Sequence, residues 1–113
     1  MPFIDSRLTI KLSTTQKEEL KCELGRLIET LHKSEKYLMV EIKDDCDLWL
    51  GGIKLIKGAY LSISLFGNAT ADEYNSMTSQ ICDMLSAKFN IPGNAVYITY
   101  HPVNDWGWNG KNF

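Results

Sequence analysis

The sequence predicts an α+β fold in which two β-α-β units form a four-stranded mixed sheet with both helices on one face. Two observations carry that prediction. Capping-box signals stand at Ser13-Thr14-Thr15-Gln16 and at Thr70-Ala71-Asp72-Glu73, in corresponding places of the two halves. In each half an alternating, β-rich segment precedes the signal, and a second one follows the helix it starts. Strands joined through a helix in this way must run parallel, with a right-handed crossover.

The first strand is read over Pro2 to Leu12, where Phe3, Ile4, Leu8, Ile10 and Leu12 are the apolar members. In the first box a hydroxyl at the N-cap and a Gln three residues later can satisfy each other's backbone donors. The helix that follows carries Leu20, Leu24, Leu27, Ile28 and Leu31 on one stripe, the spacing of a core-facing helix. Gly25 lies inside it and costs some helix stability without breaking the stripe. Tyr37 to Ile42 reads as the second strand, ended by the acidic turn Asp44-Asp45-Cys46-Asp47. The third strand is Ala59 to Phe66, with Leu61, Ile63 and Leu65 on one face. The second helix presents Tyr74, Met77, Ile81, Met84 and Leu85, with Phe89 near its end; after Pro92-Gly93-Asn94 the strand Ala95 to Tyr100 closes the unit. Helices on one side leave a sheet face uncovered, with Tyr60, Ser62 and Ser64 among its members. Self-association is the simplest cover, although an antiparallel sheet can also leave one face wet.

The 113 residues are expected to form a single domain, spanning 1–113, and their 44% hydrophobic content is ample for a core. A net charge of −2 argues against nucleic acid as the main partner. No apolar run approaches the roughly 18 residues of a membrane span, and the N-terminus lacks the apolar stretch of a signal peptide. Cys22, Cys46 and Cys82 share no C-x-x-C spacing, which fits reduced thiols in a cytoplasmic protein and supports neither a disulfide framework nor a zinc site. His32 and His101 have no second ligand at metal spacing. The Asp44-Asp45-Asp47 cluster lacks the glycine and distal glutamate of a calcium loop. Asn68-Ala69-Thr70 fits a glycosylation triplet, but Thr70 is better used as a helix cap. No Gly-rich phosphate loop or paired-carboxylate site is present, and neither a cofactor nor a metal is expected.

The chain opens Met1-Pro2-Phe3-Ile4. An initiator methionine before a small residue such as proline is readily trimmed, which would leave a secondary amine at the start of a strand. An α-amine titrates at about 7.7–8.0, closer to neutrality than any lysine. An apolar pocket and a nearby cation would both favour its neutral form, making it a base able to take a proton from carbon. Taken alone, Met1-Pro2 is also an ordinary chain start, and Lys33 also reads as a solvated lysine at a helix C-terminus. Tyr97 alone reads equally as a strand residue, and Trp106 and Trp108 as packing.

In combination these residues point further. Pro2, Lys33, Gly51-Gly52, Tyr97 and the C-terminal run Trp106-Gly107-Trp108-Asn109-Gly110-Lys111-Asn112-Phe113, set on a doubled β-α-β plan, resemble the macrophage migration inhibitory factor family of tautomerases. The resemblance covers essentially the whole chain. It implies a homotrimer with the sheets facing inward and a pocket at each subunit boundary, where Pro2 of one subunit meets Tyr97 of its neighbour. It implies a cofactor-independent keto–enol tautomerase acting on phenylpyruvate-like α-keto acids, with Pro2 as general base and returning acid. Lys33 would hold the substrate carboxylate or enolate oxygen, and Phe66 would offer its backbone N–H. Phe3, Tyr37, Thr99, Trp106, Trp108 and Phe113 would line the site with Tyr97, an aromatic wall suited to an aryl substrate. The resemblance leaves a second reading open: a cytokine-like protein released without a signal peptide, a ligand for a cell-surface receptor with an incidental pocket.

The chain also departs from the family pattern. His32 and Ser34 flank Lys33 where relatives commonly have glycine and proline, so its reach is expected to differ. Thr99 stands where animal members place an asparagine, and Trp106 where a smaller apolar residue is usual. Gly58 and Leu61 occupy the stretch in which some animal members carry C-x-x-C, so thiol–disulfide activity is not carried over. With only Arg7 and Arg26, the arginine clamp of dicarboxylate-handling tautomerases is missing too.

Overall fold

The chain enters directly as a strand, β1 (Pro2–Leu8), and then forms helix α1 (Thr14–Leu27), which tightens into a 3-10 turn over Ile28–Leu31. The computed structural model describes residues 1–113. A short 3-10 turn, Glu35–Tyr37, precedes β2 (Met39–Lys43). A hairpin of β3 (Trp49–Leu50) and β4 (Ile53–Lys54) leads to β5 (Ala59–Phe66), helix α2 (Ala71–Phe89) and β6 (Val96–Val103). A last hairpin, β7 (Gly107–Trp108) with β8 (Lys111–Asn112), ends the chain.

Both helix starts are the predicted ones. The Ser13 hydroxyl accepts from Gln16 N–H while the Ser13 N–H donates to the Gln16 side chain, and Thr70 and Glu73 exchange the same pair of bonds. The main sheet has the order β2-β1-β5-β6, with β1 parallel to β2, β5 parallel to β6, and β1 antiparallel to β5. This is the expected mixed sheet of two β-α-β units.

Alternation decides what each face carries. Ile4, Leu8, Leu61 and Ile63 point into one core with Leu20, Leu24, Leu27, Ile28 and Leu31 of the first helical segment and Met77, Ile81, Met84, Leu85 and Phe89 of α2. Both helices therefore cover the same side. Truncating any one of these large side chains to alanine costs about 2–5 kcal/mol. The opposite face carries Phe3, Asp5 and Arg7 from β1, Tyr60, Ser62 and Ser64 from β5, and Tyr97, Thr99 and His101 from β6. Nothing in the chain covers it.

Three of the four main strands differ from expectation in their bounds. β1 stops at Leu8, not Leu12: the Leu12 N–H is captured by the Asp44 side chain, and just past Leu8 the Thr9 hydroxyl takes the Gly58 N–H at 2.9 Å. Once a side chain takes that donor, the ladder cannot continue. Tyr37 lies outside β2, because the Ser34 hydroxyl caps the turn that contains it. β6 starts one residue later and runs three further than expected, pairing with β5 as far as Phe66↔Val103. The two short hairpins, β3-β4 and β7-β8, lie outside the expected elements. Each turns on two residues of positive φ, Gly51-Gly52 (62° and 81°) and Asn109-Gly110 (55° and 87°), as a tight two-residue hairpin turn demands.

Candidate active site

The start of β1 forms the floor of a cleft of about 360 Å³. Met1, Pro2 and Phe3 meet Lys36, Tyr37, Leu38 and Met39 from the turn and strand beside them, and Trp106, Gly107 and Trp108 from the last hairpin. Pro2 is buried and pairs with Leu65 in register. The position follows from the fold: β1 and β2 start side by side, and the C-terminal hairpin folds over that edge.

From Tyr37 and Trp108 on the cleft wall, aromatic rings continue outward as a connected series. Tyr37 meets Trp108 edge-on at 6.2 Å, Trp108 stacks near-parallel on Phe113 at 6.3 Å, and Phe113 tilts against Phe66 at 5.7 Å between centroids. The Phe113 N–H donates to Trp106 O at 3.1 Å, which draws the terminal ring back to the site. Such ring pairs gain from both area and quadrupole.

Lys33 follows the 3-10 end of the first helical segment. Its ammonium donates to the Phe66 carbonyl at 2.8 Å and lies close enough to Gly67 that a Cβ there would be 3.9 Å away. Phe66 thus joins three parts of the site: its ring belongs to the aromatic series, its carbonyl anchors Lys33, and its N–H donates to the Met1 carbonyl at 3.0 Å. The α-amine of Met1 is held below the ordinary range of an α-amino group, first by burial and then by the Lys33 cation. While Met1 is attached, the Pro2 nitrogen is an amide and carries no basic lone pair.

Of the sequence-predicted site residues, Pro2, Phe3, Lys33, Tyr37, Phe66, Trp106, Trp108 and Phe113 gather at this end of the sheet. Tyr97 and Thr99 do not. Tyr97 pairs with Tyr60, five residues along β5 from the Leu65 that pairs with Pro2, a separation of about 17 Å at the usual strand rise. Tyr97 is 62% exposed on the uncovered face. Thr99 sits between them on that face, its hydroxyl bonded at 2.8 Å to both Tyr60 and His101.

Sequence reasoning missed Lys36, Leu38 and Met39 on the cleft wall. Lys36 stands 5.4 Å from the Tyr37 ring centroid, an i, i+1 placement that no periodicity flags. It also missed the partner of His32, whose imidazole pairs with the Glu73 carboxylate of α2. A glutamate already assigned to a capping box gives no hint of a second partner.

The macrophage migration inhibitory factor family model matches residues 1–113. The chain belongs to the macrophage migration inhibitory factor family. It is 31% identical to the macrophage migration inhibitory factor of Xenopus laevis, over 100% of this chain and 99% of the relative. To that of Xenopus tropicalis it is 32% identical over 85% of each chain. Among solved structures, a macrophage migration inhibitory factor protein of Leishmania major superposes with a TM-score of 0.90 at 24% identity, covering 100% of this chain and 97% of the other. No helix is long and apolar enough to cross a membrane.

Proposed function

We propose that this member of the family, once Met1 is removed, is a cofactor-independent keto–enol tautomerase of phenylpyruvate-like α-keto acids, with Pro2 as its base. The observation that carries the reading is the siting of the terminal amine: a partly buried amine, with its basicity lowered by burial and by Lys33, at the floor of a cleft walled by Tyr37, Trp106 and Trp108. Removing Met1 moves the amine one residue inward, to buried Pro2, where burial and Lys33 act on it in the same sense. It also frees the Phe66 N–H that the Met1 carbonyl occupies. The Met1 carbonyl oxygen therefore stands in for a substrate carboxylate or enolate oxygen, which would take the Phe66 N–H and a second donor from the Lys33 ammonium.

The reaction then needs one proton taken from carbon and one delivered to oxygen, with the amine's proton returned to solvent after each enolisation. Neutral Pro2 takes a proton from carbon 3 of the keto acid; the C–H electron pair becomes the C2–C3 double bond, and the carbonyl pair moves onto oxygen. Lys33 holds the resulting charge, and the oxygen acquires a proton from solvent. In the reverse direction the protonated pyrrolidine returns its proton to carbon 3. The aryl ring lies against Tyr37, Trp108 and Phe113.

The distance between Tyr97 and Pro2 supports a homotrimer in which Tyr97 reaches a neighbour's Pro2. The uncovered sheet face supports the same assembly. A receptor-ligand role is the second reading; the observation in its favour is the name carried by the Xenopus relatives at 31–32% identity, a name that denotes signalling. The test is enol formation from phenylpyruvate, followed in the ultraviolet, with protein whose intact mass shows Met1 absent. Turnover above the buffer-catalysed rate is expected. None above it would end the enzymatic reading and leave the receptor ligand.

A further inference from the structure

We propose that His32 is a positioning residue, which, through its side-chain contact with Glu73, fixes the turn that holds Lys33 against Phe66 beside the cleft. The proposal rests on the reading of Lys33 as the cation that holds the substrate's oxygen.

The backbone poses the question. His32 ends the first helical segment in the left-handed region, at φ 59°, with its N–H bonded to Glu29 O. Glycine suits this conformation best; histidine, with asparagine and aspartate, is among the few other side chains that tolerate it. What it gains is reach. From this cap its imidazole meets the Glu73 carboxylate at the third residue of α2. Glu73 is itself fixed, because its other oxygen accepts the Thr70 N–H at 2.7 Å. The carboxyl is held below the usual range, first by the Thr70 backbone bond and further by His32, so it is an anion when the imidazole calls on it.

Lys33, the next residue, reaches back to the same stretch of chain and donates to Phe66 O at 2.8 Å. The two neighbours thus grip the β5–α2 connection at both ends, Lys33 at Phe66 and His32 at Glu73. Leu31 is buried in the core just before the cap; past it, without His32, the Lys33 bond holds the turn against the connection, and that bond must share the ammonium with the substrate. A second tether, Gln80 to Thr30 at 3.0 Å, holds the helical segment two residues earlier but lies before the left-handed cap. His32 is therefore the last fixed point ahead of Lys33.

The pair is exposed, and exposed pairs add little to global stability; glycine at residue 32 would relax the left-handed backbone. A merely structural role therefore predicts that H32G alters thermal stability alone. A positioning role predicts that H32G and E73Q, the latter keeping a capping-box residue, each raise KM for phenylpyruvate about 5-fold with kcat within about 2-fold. The double variant should be no worse than either single one, the signature of one shared interaction. Side-chain NMR of Lys33 supplies a readout independent of turnover: the inequivalent pair of Cε protons expected of a held ammonium should collapse in H32G and in E73Q. K33A separates the two levels. If K33A leaves turnover unchanged, the reading of Lys33 fails, and the NMR comparison still judges the tether. If K33A impairs the enzyme while H32G and E73Q leave KM and the Lys33 resonances unchanged, the positioning role is overturned.

Discussion

The two halves of the chain use the same backbone device to opposite ends. Each helical segment stops at a left-handed residue, His32 at φ 59° and Asn90 at φ 55°, and each then feeds the sheet. After His32 comes Lys33, whose ammonium anchors on Phe66; after Asn90 comes Ile91, buried in the core. The strand starts differ in the same way. Pro2 and Phe3 floor a cleft beside Lys36 and the terminal amine, whereas Ala59 and Tyr60 floor a hollow of about 80 Å³ with a wholly hydrophobic lining, including Trp49, Leu50 and Tyr97. One end carries a lysine cation and an amine of lowered basicity. The other offers exposed apolar surface, with Trp49, Ile53, Ile56 and Tyr97 around it, and can only be covered. The fold is common to both ends, so the chemistry lies in a few side-chain choices at equivalent places.

Blocking the amine should break this contrast most completely. Protein that retains Met1 has an amide at Pro2, and separation by intact mass should show turnover confined to the trimmed species. In trimmed protein Pro2→Gly should lower kcat/KM by about 10²-fold or more, the scale of a positioned base; steady-state kinetics on phenylpyruvate would measure it. An equal rate in both mass species would rule out the amine.

Next in size is Lys33→Ala, expected to lower kcat/KM about 10-fold through KM, as loss of one charge-assisted contact does. It also carries a sign. The base works when neutral, so activity should rise as pH climbs through the Pro2 amine's pKa, expected below the usual α-amine value because burial and then Lys33 lower the Met1 amine at the same place. Removing Lys33 takes away the second cause and leaves the first, so the acid limb of the pH–kcat/KM profile should move to higher pH. A limb that stays put would mean that the cation does not act on the base.

Tyr97 tests whether the hydrophobic end serves the charged end of another copy. Tyr97→Ala is expected to cost a few-fold in kcat/KM, less than the loss of a base or a cation. Mixing it with Pro2→Gly after joint unfolding and refolding should restore part of the activity, because some boundaries then pair an intact Pro2 with an intact Tyr97. Absence of any recovery in mixed assemblies would place Tyr97 outside the site.

The parts of this molecule that are legible in the sequence are those where one strong local signal decides. The alternation of Ala59–Phe66 gives β5 with its true bounds, and the stripes of both helical segments are buried as their spacing requires, apart from half-buried Tyr74. What the sequence conceals depends on side chains bonding backbone at a distance. Where β1 ends, the Thr9 hydroxyl takes the Gly58 N–H from 49 residues away, and Ser34 turns Tyr37 out of β2. Gly51-Gly52 and Asn109-Gly110 did carry hairpin signals, and those elements were within reach. The site is legible as a set of residue types but not as a map. Nothing in the order Pro2, Lys33, Tyr97 tells that two meet near one strand end while the third stands at the other. Only the antiparallel register of β1 on β5 does.

The smallest expected effect compares two tyrosines of one strand. Tyr97 and Tyr100 lie three residues apart on β6 and so on opposite faces. Tyr100 stacks on Tyr74 at 4.5 Å, exchanges a 2.8 Å hydrogen bond with Thr78, and donates to Tyr74 O. Burial raises its pKa, partly offset by the Thr78 bond. Because the folded value lies above the unfolded one, this phenol's contribution is complete below about pH 10 and is lost as pH rises through the raised value. Tyr100→Phe should therefore cost about 1 kcal/mol in urea unfolding at pH 8, and wild-type stability should fall toward that of the variant at strongly alkaline pH. Tyr97→Phe, whose ring faces solvent in the single chain, should leave the unfolding of dilute, dissociated protein unchanged. If Tyr97→Phe proved the costlier of the two under those conditions, the open face would already be packed within one chain, and the difference between the two ends would vanish.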